Sequence, residues 1–135
     1  STSSTSLVTL QTVTIPADKL GEDGQVRVEA FFEFTGVDGQ KEIDVDFGAG
    51  IFNVSNIGST VDSADLLLRI VADGSTSAQL VAWRLILSDG TVHQGLTTTS
   101  NDMTSDRDID INAAVADADD TVALEFSSAS FVGTS

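Results

Sequence analysis

Residues 30–47, AFFEFTGVDGQKEIDVDF, decide the fold. In the second half, Glu42-Ile43-Asp44-Val45-Asp46-Phe47, carboxylates alternate with apolar residues, the period of a strand with one face in a core and one in water. At about 100° per residue the same apolar set would scatter around a helix, so an amphipathic helix does not fit. The first half continues a run in which Val26, Val28, Ala30, Phe32 and Phe34 point one way and Arg27, Glu29 and Glu33 the other. Between the halves, Asp38-Gly39 predicts a hairpin turn, because both residue types tolerate positive φ. Phe31 alone breaks the pattern, a large aromatic on the charged face. Either a partner covers that face, or a β-bulge between Phe31 and Phe32 resets the parity and turns both rings inward.

The same grammar extends outward. Asp23-Gly24, Asp73-Gly74 and Asp89-Gly90 each close an apolar or alternating run. Strands are expected at residues 8–15, 25–34, 41–47, 51–54, 64–72, 78–87, 92–100, 106–112 and 121–126, with a short further strand ending near Val132. Pro16 stops the first, since it lacks a donor and holds Ile15 extended. Only residues 112–118, NAAVADA, suggest a helical turn. Many short strands with almost no helix predict an all-β, two-sheet antiparallel sandwich, with a jelly roll fitting the strand count and an immunoglobulin-like sandwich as the alternative. The expected organisation is a polar N-terminal arm at 1–7, one domain at 8–132 and a polar tail at 133–135. The arm has no core-forming residues and is expected to be mobile.

A chain of 135 residues can enclose a core unaided. It carries 21 acidic residues against six basic, a formal charge of -15, yet is 41% hydrophobic, so the charge belongs to the surface of a folded protein. Nucleic acid is excluded as a partner, since phosphate binding needs Lys and Arg. With no cysteine, no disulfide framework is available and a reducing compartment is tolerated. The opening STSSTSLVTL has neither a basic start nor a long apolar run, so no intact signal peptide is expected there. No later stretch is apolar enough to span a bilayer, and no membrane partner is expected.

Chemistry is sparse. His93 is the only histidine, which excludes histidine-based metal triads within one chain, and no G-x-S-x-G elbow accompanies it. Asp106, Asp108, Asp110 and Asn112 have the spacing of a calcium loop, but Ile111 stands where such a loop requires glycine, and Ile109 and Ile111 impose strand alternation. Asp117, Asp119 and Asp120 are weak candidates for a cation, because clustered loop carboxylates can converge on a hard ion. Asn53-Val54-Ser55 matches a glycosylation sequon by chance. No cofactor is expected and the chain reads as no enzyme. Trp83 shares a face with Val81, Leu85 and Leu87 and is expected in the core.

The remaining signal is adhesive. Phe31, Leu67 and Val71 lie on otherwise polar strand faces, which suggests burial against other chains, with Arg27, Arg69 and Arg84 available to meet partner carboxylates. Ser1, Thr2 and Ser3 of the arm are further interface candidates.

The opening Ile15-Pro16-Ala17-Asp18-Lys19-Leu20-Gly21, the long strand from Val26 to Phe34, Phe47-Gly48 and the closing Val122-Ala123-Leu124-Glu125-Phe126 resemble a jelly-roll module of bacteriophage virion proteins. The resemblance implies a structural protein of phage particles, most like a head decoration (cement) protein. Such a protein binds the outer surface of the major capsid protein, as a homo-oligomer with a trimer expected, after synthesis in the host cytoplasm. A tail-associated receptor-binding or carbohydrate-binding module is the alternative.

Overall fold

The computed structural model describes residues 1–132. Nine strands form two antiparallel sheets: β1 (Val8–Ile15), β8 (Arg107–Val115), β3 (Lys41–Phe47) and β4 (Ala49–Ile57) in that order, and β7 (Val92–Thr99), β6 (Ala78–Leu87), β5 (Ser63–Ser75), β2 (Gln25–Thr35) and β9 (Thr121–Val132). The expected sandwich is therefore present, and no helix occurs among the described residues. The chain crosses between sheets after β1, β2, β4, β7 and β8, a jelly-roll style of connection. With β1 and β2 in different sheets, the order departs from the immunoglobulin arrangement.

The two halves of the opening stretch thus do not pair. Sequence alone predicts a β2–β3 hairpin; instead β2 pairs with β5 and β9, and β3 with β4 and β8. The connection bridges the sandwich because both strands need their apolar faces in the same core, from opposite sides. Val26, Val28, Phe32, Ile43, Val45 and Phe47 are all fully buried there. Of the four Asp-Gly pairs, Asp89-Gly90 does turn a hairpin, β6 to β7, with Gly90 at φ 91°. Asp73-Gly74 lies inside β5 where the ladder to β6 shifts register. A tighter hairpin joins β3 to β4 around Gly48, at φ 72°, where Phe47 already faces Ala49.

Two strand expectations are corrected. The NAAVADA turn does not form: Asn112 to Val115 continue β8, because Ala113 and Val115 add to the core and every backbone group in this central strand is offered a neighbour on both sides. The short extra strand is the second half of β9. There Phe31 faces Phe126 and Phe32 faces Leu124, leaving Glu125 as the extra residue. The irregularity thus sits in β9 and not in β2, whose register with β5 runs unbroken from Gln25 to Glu33. Phe32 is in the core and Phe31 is outside it.

Candidate functional site

The outer face of the five-stranded sheet collects the residues that the sequence singles out. Alternation on β2 points Arg27, Glu29, Phe31 and Glu33 outward, and β5 adds Asp65, Leu67, Arg69 and Val71. Their partners on β6 are Ile86, Arg84, Ala82 and Leu80, followed by Val92, Gln94 and Leu96 on β7. Phe126 lies beside Phe31 on β9. Leu67 sits midway along the central strand, 39% exposed, while Phe126 is 56% and Leu96 66% exposed. Two shallow depressions adjoin at Leu67: one runs towards Arg69, Arg84, Gln94 and Leu96, the other towards Phe31, Ile86 and Phe126.

The charges of this face are unusual for the chain. Within the paired ladder it carries three of the six basic residues, Arg27, Arg69 and Arg84, and three carboxylates, Glu29, Glu33 and Asp65. Arg27 faces Arg69 directly across the β2–β5 ladder, a juxtaposition of like charges that destabilises an isolated sheet. Lys41–Asp120 is the single ion pair among the described residues, so the six charges on this face have no ion partner among them. Arg69 donates to Gln25 Oε1 at 3.3 Å, a neutral contact.

The opposite outer face, on the four-stranded sheet, is polar and internally satisfied. Thr9 donates to Asn112 Oδ1 at 2.7 Å, and Asn112 Nδ2 donates to Asp44 Oδ2 at 2.9 Å and to Asp46 Oδ2 at 3.2 Å. Asn53 Nδ2 donates to Asp44 Oδ1 at 3.2 Å and to Glu42 Oε2 at 2.6 Å. One chain of hydrogen bonds therefore crosses all four strands. Thr12 and Thr14 donate to Asp110 and Asp108 at 2.8 and 2.7 Å. The calcium-loop spacing of Asp106, Asp108, Asp110 and Asn112 is thus strand alternation, as the sequence implies. Burial first, and then the charges of Asp44 and Asp110, push the Asp46 carboxyl up, against the Asn112 hydrogen bond.

The loop aspartates divide. Asp120 is fully buried against Lys41, with Nζ–Oδ2 3.4 Å, and accepts from the backbone N–H of Gly39 at 2.8 Å and of Asp38 at 3.2 Å. Lys41 Nζ also donates to the carbonyls of Gly36 at 2.6 Å and Ser59 at 3.3 Å. Burial opposes the Asp120 charge, but these N–H donors and the ammonium together hold its carboxyl below the ordinary range. Gly36, at φ 90°, is obligatory here, since a Cβ would come within 2.1 Å of Asp120 Oδ1. Asp120 is therefore a structural partner and leaves the expected cation group. Asp117 and Asp119 instead lie with Asp38, with carboxylate oxygens within 4.8 Å of one another. The Asp38 carboxyl is pushed up, first by the charge of Asp120, then by burial and by Asp117 and Asp119.

Other sequence candidates fall outside both faces. Thr2, expected in a mobile arm, pairs with Val122 through two backbone hydrogen bonds of 2.8 and 2.9 Å and is buried in its own chain. The arm is held because Val122 opens an edge strand whose backbone groups need partners. Ser1 and Ser3 remain exposed, with Ser3 bonded to Thr121. The tail at 133–135 lies outside the described residues. Trp83 packs against the core as expected, stacked on Phe52 at 4.2 Å, and Gly95 faces it because a Cβ there would approach the indole to 2.7 Å. Sequence reasoning missed the roles of Lys41, Leu96 and Phe126. No local signal marks Phe126, because Val122, Leu124 and Phe126 alternate regularly in sequence and only the extra residue Glu125 in the ladder turns Phe126 outward.

No protein-family model matches the sequence, and no curated protein is similar to it. Five solved chains are similar in structure. Among them is lectin I-B4 from Griffonia simplicifolia in its metal-free form, 13% identical, with a TM-score of 0.44 over 90% of this chain and 77% of that one. No residue role is carried over from it.

Proposed function

We propose that the chain is a non-catalytic structural module that works by adhering to protein surfaces. In line with its resemblance to virion sandwiches, we place it on the outside of a capsid as a decoration protein. It would be made in the host cytoplasm and tie neighbouring major capsid proteins together. The observation that carries the reading is the outer face of the five-stranded sheet, where Phe31, Leu67, Leu96 and Phe126 surround arginines that have no ion partner among the described residues. An apolar patch of that kind is the mark of a protein interface. Exposed Ser1 and Ser3 and the loop carboxylates add weak contacts that reinforce one another through effective concentration.

Co-sedimentation with capsids assembled without the protein tests this. Saturable binding and a raised temperature of shell rupture are expected; indifference to capsids at micromolar protein would overturn the reading. A second reading, a glycan-binding tail module, draws on the depression beside Arg69, Arg84 and Gln94. It predicts glycan-array binding that Gln94→Ala abolishes.

A further inference from the structure

We infer that the five-stranded sheets of two copies pack back to back, so that the partner covering this face is a second copy of the chain. The inference rests on the adhesive reading above and names a second copy as the occupant of the face, which leaves the capsid contacts to exposed Ser1 and Ser3 and the loop carboxylates.

The first argument is charge. Two chains of charge -15 repel each other almost everywhere. The paired ladder of the five-stranded sheet is the exception, because its three arginines and three carboxylates cancel. Four of those charges are also segregated along the strands, while Glu29 and Arg84 flank Leu67 in the middle row. Arg27 and Arg69 share one row, whereas Asp65 lies four residues before Arg69 on β5 and Glu33 six residues after Arg27 on β2. A two-fold axis across the strands through Leu67 turns one sheet over the other and lays the Arg27–Arg69 row against the Asp65 row of the partner, while Arg84 and Glu29, in the row of Leu67, each lie on the axis opposite their own copies. Arg69 then meets Asp65 of the second copy, and the Arg27–Arg69 repulsion is relieved.

The second argument is shape and area. Leu67 stands midway along β5, with two strands on each side, and separates the two depressions. On the axis it meets its own copy. Five strands about 4.8 Å apart, with a ladder about 30 Å long, give a face of roughly 700 Å²; two such faces bury about 1,400 Å², within the roughly 1,200–2,000 Å² of stable protein interfaces. Arginine and aromatic residues at the centre of such a face are the types that interfaces favour. A two-fold pair replaces the trimer expected from sequence, because a central sheet face paired with itself closes at two copies.

The absence of cysteine makes the test direct. Leu67→Cys places a single thiol on the axis; Thr14→Cys places one on the exposed outer face of the four-stranded sheet. Under mild oxidation Leu67→Cys should form a disulfide-linked dimer faster than Thr14→Cys by about tenfold or more, reflecting the higher effective concentration across an axis. Sedimentation velocity of the unmodified protein should show a species at twice the 14.1 kDa of one chain. Arg69→Asp should dissociate it, and adding Asp65→Arg should restore it. Unchanged thermal unfolding of these variants at low concentration checks that the fold survives. A monomer at every concentration, a trimer, or equal cross-linking from both positions overturns the back-to-back pair. If capsid binding persists in that case, the adhesive reading stands without it; if it is lost too, both fall.

Discussion

The two outer faces of the sandwich obey the same alternation and end in opposite states. On the four-stranded sheet the outward side chains are Asp, Asn, Thr and Glu, and they bond to one another across Thr9, Asn112, Asp44 and Asn53. On the five-stranded sheet they are Phe, Leu, Ile and Arg, with six charges and no ion pair among them. The first face is complete in water. The second exposes apolar area and places Arg27 against Arg69, arrangements that a solvated surface does not reward. The same backbone alternation therefore does not distinguish the face on which the proposed adhesion rests. The satisfaction of the side chains does.

The contrast is broken most severely from inside. Phe32→Ala should cost about 3–5 kcal/mol, as for a large core aromatic, whereas Phe31→Ala should cost about 1 kcal/mol or less in the isolated chain and act mainly on association. Urea denaturation of the two variants reads this directly; equal losses would mean that Phe31 belongs to the core and that the outer face has been misassigned.

Next is the tie between the two sheets. Lys41 opens β3 on one sheet and Asp120 immediately precedes β9 on the other, and no solvent reaches either side chain. Lys41→Met should destabilise the fold by about 3 kcal/mol, because it leaves a buried carboxylate without its cation. A loss below about 1 kcal/mol in the same denaturation experiment would show that the N–H groups of Asp38 and Gly39 suffice.

The smallest effect separates the faces by pH. Asp46 has its carboxyl pushed above the ordinary value of 3.8 by burial and by Asp44. A raised folded-state value means that protonation favours the fold, so this contribution is full below the ordinary value and lost as pH rises through the raised one. Asp120 is held below the ordinary range despite its burial, so its contribution is present above that range and lost as pH falls through the depressed value. On acidification from neutrality the melting temperature should rise as pH nears the ordinary carboxylate range, then fall beneath it. Asp46→Asn should reduce the rise and leave the acid fall; an undiminished rise in thermal melts of that variant would exclude Asp46 as its source.

Much of this was legible before the structure. Alternation in Glu42 to Phe47 and in Asp108 to Asn112 placed two strands with the correct faces, because the two-residue period is a local property of the backbone. Phe31, Leu67, Val71, Arg27, Arg69 and Arg84 stood out in sequence one strand at a time, and all six share one face. What could not be read was adjacency. That Arg27 faces Arg69 depends on pairing residues 42 positions apart, and the Lys41–Asp120 pair joins residues further apart still. The Asp38-Gly39 turn chemistry was correct as a turn and wrong as a hairpin, since a local turn signal does not specify which sheet the following strand joins.

The sequence by itself determined an acidic, cysteine-free sandwich and its strand faces, because side-chain alternation and apolar content act within a few residues, and it left Phe31 open between an outward position and an inward bulge. Only the tertiary structure decided which strands are neighbours. It thereby joined Thr9 to Asn53 across one sheet and gathered the arginines and apolar side chains on the other. Contacts between distant segments are selected by the shared core they enclose, and no local pattern encodes that choice.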